Sequence, residues 1–135
     1  MSTTEAEMAR QQQAEDVARL LKEYADKLNV MASRLLGIPE REATAHGVRT
    51  ALSTEVGTIL DGYDAVAPTI ESLTRYASQI LEHFAPEKLA EIELTLRLRE
   101  TERALDAVRL AADTLKNHYP AFLPDSRKKR LRARP

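Results

Sequence analysis

Apolar side chains return every three or four positions along almost the whole chain, and that period admits few folds other than packed α-helices. Val17, Leu21, Tyr24, Leu28, Met31 and Leu35 alternate steps of four and three, a coiled-coil-like seam that Leu20 and Leu36 widen to a bundle-facing stripe. A second run passes from Ala45 and Val48 through Leu52, Val56, Ile59, Tyr63, Val66, Ile70, Leu73, Ala77 and Ile80 to Phe84. A third follows Leu94, Leu98, Thr101, Leu105, Val108, Ala112, Leu115 and Tyr119. Residues 91–99 also alternate strictly, which fits a strand. No turn signal bounds them, however, and Leu, Glu and Arg favour helix. Leu89, Ile92 and Leu96 give this third run a second apolar face, as expected of a helix that meets two neighbours or a partner chain.

Helix signals divide the runs. Thr4 and Glu7 have capping-box spacing, Gly37 suits the residue after a helix end, and Pro39 suits a first turn. An unbroken helix over 39–84 would span roughly 69 Å at ~1.5 Å per residue, against about 50 Å for its neighbours. Gly62 and Pro68 therefore mark a break or kink, since proline removes one hydrogen bond and crowds the preceding turn. The expectation is an all-α antiparallel bundle of three to four long helices, over about 4–36, 39–62, 66–84 and 86–119. A Pro-containing loop and basic tail at 120–135 complete the chain.

Composition supports this reading. Of 135 residues 43% are hydrophobic and only 4% aromatic, so one domain with an aliphatic core is expected. The absence of cysteine excludes disulfides, thiolate metal sites and thiol catalysis. No apolar run approaches the ~18 residues of a membrane span. The first residues resemble no secretory signal. A cytoplasmic protein that makes no use of a membrane is expected.

The charge is unevenly placed. Arg127, Lys128, Lys129, Arg130, Arg132 and Arg134 fall in the last nine residues, leaving residues 1–126 with 14 basic and 21 acidic side chains. The body thus carries −7 and the tail +6. The tail is a candidate docking segment for an acidic protein surface or for nucleic acid, which the body would repel.

Catalytic constellations are missing. No histidine has Glu three positions before it and no two histidines are four apart, so neither di-iron nor zincin helix motifs occur. The four glycines, at 37, 47, 57 and 62, make no phosphate-cradling loop, and no nucleophile elbow is present. His83 and His118 sit near expected helix C-termini, where positive charge is mildly favourable. No metal or other cofactor is expected.

One short stretch, His46-Gly47-Val48-Arg49-Thr50-Ala51-Leu52-Ser53-Thr54-Glu55-Val56-Gly57, resembles the H-box of histidine-kinase dimerisation helices. His46, Arg49, Thr50, Leu52 and Gly57 match that motif, and Val48 is conservative. The resemblance implies a helical hairpin dimerising into four helices, with His46 as an exposed phosphoryl site. Gly47 stands where the family has its acid/base Glu, and Ala51 where it has its Pro. No ATP-binding domain follows in this sequence. The resemblance therefore implies a chain that receives or relays a phosphoryl group, or mimics such a domain, and not one that phosphorylates itself.

The expected function is non-enzymatic: a bundle mediating protein association or assembly, most simply as a homodimer, with a docking tail. Phosphotransfer-like signalling through His46 and nucleic-acid association through the tail are the alternatives.

Overall fold

The computed structural model describes residues 5–42, 49–82 and 89–118, with side chains described over 5–38, 52–82 and 91–118. These residues form three α-helices: α1 (Glu5–Glu42), α2 (Arg49–Glu82) and α3 (Leu89–His118). No strand occurs among them, and 91–99 is helical.

Two boundaries differ from the sequence reading. The first helix does not stop at residue 36 but continues through Gly37 and Pro39. Leu35 and Ile38 are both fully buried, and extending their stripe offsets the roughly 1 kcal/mol that Gly costs inside a helix. The expected break between 62 and 66 does not form either, and α2 is one helix with Pro68 inside it. Ile59, Leu60, Ala67 and Ile70 are buried on either side without loss of phase, while Pro68 itself is exposed. Their continuous packing outweighs the ~3 kcal/mol that an interior proline costs.

Buried residues group into two clusters that fix the chain direction. The larger joins Leu28, Leu35 and Ile38 of α1 with Leu52, Val56 and Ile59 of α2 and Leu105, Val108 and Leu115 of α3. The smaller joins Ala14, Val17, Ala18 and Leu21 of α1 with Ala77 and Ile80 of α2 and Leu94 and Leu98 of α3. Consecutive helices are therefore antiparallel, whereas α1 and α3 run parallel. The α1–α3 contact is the most extensive of the three.

The seam positions Leu21, Leu28 and Leu35 are fully buried, but Leu20 and Leu36 are exposed and do not widen the core stripe as expected. Each lies one residue, about 100° around the helix, from a buried leucine, and a three-helix bundle offers no further neighbour to cover it.

Candidate interaction surface

The α3 seam carries two polar residues in a row of otherwise apolar positions. Thr101 is fully buried, and its hydroxyl lies 3.0 Å from the Leu21 carbonyl across the α1–α3 contact and 2.8 Å from the Arg97 carbonyl one turn back. Its single proton thus has a good acceptor in either direction. Glu91, in the first turn of α3, is 2% exposed. Both carboxylate oxygens are buried, and neither meets a hydrogen-bond donor among the described residues. A carboxylate withdrawn from water without a donor weakens the packing around it.

Helix α3 buries Leu94 and Leu98 on one side and leaves Ile92 and Leu96 on the other, 53% and 48% exposed. These two are four residues apart and form one patch. Arg99, Arg103 and the exposed Leu110 extend the stripe along the helix. Met8 and Leu20 on α1 are also exposed at the Glu91 end. The second apolar face expected of the third segment is therefore present at Ile92 and Leu96, and both are exposed among the described residues. The side chain of Leu89 lies outside the described residues.

A groove of about 490 Å³, lined by α1 and α3 alone, mixes both charge signs: Lys22 and Asp26 face Arg97, Glu100 and Arg103 over Ala25 and Ala104. Arg97 donates to Glu93 and Glu100, each at 2.9 Å. These bonds, that to Glu100 foremost, hold its guanidinium above its ordinary value. The side chains compensate one another within α3, which leaves this groove little charge to offer a ligand.

A second cluster ties α2 to α3. Arg109 donates from Nε to the Tyr63 hydroxyl at 2.9 Å and from Nη2 to Glu71 Oε1 at 2.7 Å, and Asp106 lies 3.6 Å from Nη1. The hydrogen bond to Tyr63, aided by the fields of Glu71 and Asp106, raises the Arg109 pKa against a smaller lowering by burial. Its charge is fixed at any physiological pH.

His46 and the basic residues Arg127, Lys128, Lys129, Arg130, Arg132 and Arg134 lie outside the described residues, as does His83. His118 is exposed in the last turn of α3, where its placement suits the helix end. Among the described residues no group of His, Asp and Glu is placed to hold a metal ion, and no helix is long and apolar enough to cross a membrane. The sequence reading passed over Glu91, although its place three positions before Leu94, and so on the seam, is the signal that marks it. Compared with protein-family models, with curated proteins and with solved structures, the chain has no match.

Proposed function

We propose that this chain is a non-enzymatic helical module that pairs with a second copy of itself through the outward face of α3. The observation that carries this reading is the half-exposed pair Ile92 and Leu96 on a helix whose opposite face already fills the core. A two-fold dimer is the simplest occupant, because an isologous contact needs one patch, whereas a heterologous partner must bring a matching one. The segment Arg127–Arg134 then supplies an electrostatic tether to an acidic partner, in competition with the acidic body of its own chain.

Light scattering coupled to size exclusion tests this on the full chain, on a chain truncated after Ser126, and on the double variant Ile92→Ser/Leu96→Ser. The expected result is twice the chain mass for the first two and the single mass for the third, with helical circular dichroism unchanged. A single mass for the full chain at high concentration, or a dimer that survives the double substitution, overturns the reading.

A further inference from the structure

The α1–α3 groove loses its charges as it runs toward the end of α3. Lys22, Asp26, Glu100 and Arg103 line it together with Asn29 and Ala107. Seven residues, close to two helical turns, return a side chain to nearly the same side of its helix. Seven residues beyond Lys22, Asp26, Glu100 and Arg103 stand Asn29, Ser33, Ala107 and Leu110, and seven beyond Asn29 and Ala107 stand Leu36 and Thr114. None of these six is charged, in a chain of which 30% is. Leu36 and Leu110 are 59% and 69% exposed, the two highest values among the described large apolar side chains. The Thr114 hydroxyl already donates to the Leu110 carbonyl at 2.9 Å, which leaves its methyl for a neighbour.

Connectivity and composition name the occupant. The Thr101 bond to Leu21 sets each residue of α1 beside the one 80 positions later in α3, so Leu36 lies level with Lys116, close to the end of α3 at His118. Tyr119-Pro120-Ala121-Phe122-Leu123-Pro124 follows, outside the described residues, with no charged side chain and with one of the two Phe of the chain. An extended chain advances ~3.3 Å per residue, so the stretch from His118 to Phe122 spans about 13 Å. Leu110 stands about 12 Å of helix before His118. Phe122 and Leu123 thus come within reach of both leucines, and their attachment to α3 holds them at an effective concentration that a separate partner lacks.

We propose that residues 119–123 fold back from the end of α3 into this uncharged trough, with Phe122 and Leu123 covering Leu36 and Leu110. The basic segment Arg127–Arg134 then starts from a fixed point between α1 and α3. The contact uses neither Ile92 nor Leu96, so it stands whether or not those residues pair two copies.

The chain has no cysteine, so a single introduced thiol reports its own cover. Leu36→Cys, Leu110→Cys and Val30→Cys, each in the full chain, are labelled under native conditions with a small uncharged thiol reagent. Val30 is the control, since it is 52% exposed and lies about 100° around the helix from Asn29, clear of the groove. Leu36→Cys and Leu110→Cys are expected to react about tenfold more slowly than Val30→Cys, as cover that opens about one-tenth of the time gives. Adding Phe122→Ser and Leu123→Ser is expected to bring both to the Val30→Cys rate, with helical circular dichroism unchanged. The protection is expected to be equal at low and high protein concentration. A rate for Leu36→Cys or Leu110→Cys that matches Val30→Cys overturns the proposal. So does a rate that stays slow after Phe122→Ser/Leu123→Ser, or protection that grows with protein concentration, as cover by a second copy requires.

Discussion

At one end of the bundle fifteen buried residues among those described, including Leu28, Leu35, Ile38 and Leu115, interlock from all three helices. At the other, eight described residues do so, three of them alanines, with Ala77 and Ile80 from α2, while the side chains of 83–90 lie outside the described residues. The thin end also holds the buried Glu91 carboxylate and the half-exposed Ile92 and Leu96. Both ends are built from the same period of three and four, so periodicity alone does not set how well a seam is sealed. Side-chain volume at the seam does, together with whether a polar residue there finds a donor or acceptor. Among the described residues, the exposed Ile92 and Leu96 lie at the end with the smaller cluster.

Truncations in the two cores give the largest expected effect and the most direct way to break this contrast. Leu28→Ala or Leu105→Ala, in the larger cluster, is expected to cost ~2–5 kcal/mol. Leu98→Ala, in the smaller one, should fall at the bottom of that range, since a loosely packed site collapses more readily around the deletion. Chemical denaturation midpoints measure the difference, and equal losses would mean that the ends are equally sealed.

Glu91 sharpens the comparison with a change of opposite sign. Glu91→Leu is expected to stabilise the protein by about 1–3 kcal/mol, because it removes a buried carboxylate that meets no donor among the described residues and adds apolar volume beside Leu94. Thermal unfolding reads this directly, and a lower melting temperature would show that the carboxylate is well partnered and that the thin end is complete.

The smallest effect belongs to the α1–α2 contact. A Cβ built on Gly62 meets only the Met31 methyl, at 3.8 Å, which is ordinary van der Waals contact. Gly62→Ala is therefore expected to add about 0.5–1 kcal/mol by restricting the unfolded chain and favouring helix. A loss of stability in the same denaturation measurement would mean that α1 and α2 approach more closely here than 3.8 Å implies.

Much of the architecture was legible in the periodicity. Leu21, Leu28, Leu35, Leu94, Leu98 and Leu105 all occupy the buried positions that their spacing implies. Helix ends were less legible, for a physical reason. Gly37, Pro39, Gly62 and Pro68 each carry a local helix-breaking preference of one to a few kcal/mol, and flanking burial of Ile38, Ile59, Leu60 and Ile70 exceeds it. Local signals cannot weigh that competition. Exposure of Leu20 and Leu36 was illegible for a related reason, since a stripe's width is readable from one helix but the number of neighbours available to cover it is not. The Ile92–Leu96 face was readable as a second apolar face. The bridge from Arg109 to Tyr63 and Glu71 was not, because those positions meet only once α2 lies antiparallel to α3.

The Thr101 hydroxyl meets a carbonyl 80 residues earlier in the chain. The most extensive helix pair thus joins the two segments farthest apart in sequence, and closing so long a loop costs more chain entropy than closing either hairpin. The order of folding follows. The α1–α2 and α2–α3 pairings are expected to form first, with α3 settling along α1 once α2 has brought them side by side. During synthesis Leu21, Leu28 and Leu35 are then expected to be covered on their α2 side alone until α3 has emerged, which leaves part of the α1 seam exposed on the growing chain for that time. Substitutions in α2 that touch neither outer helix should therefore slow the arrival of the native state, because α2 sets the time at which the other two can meet.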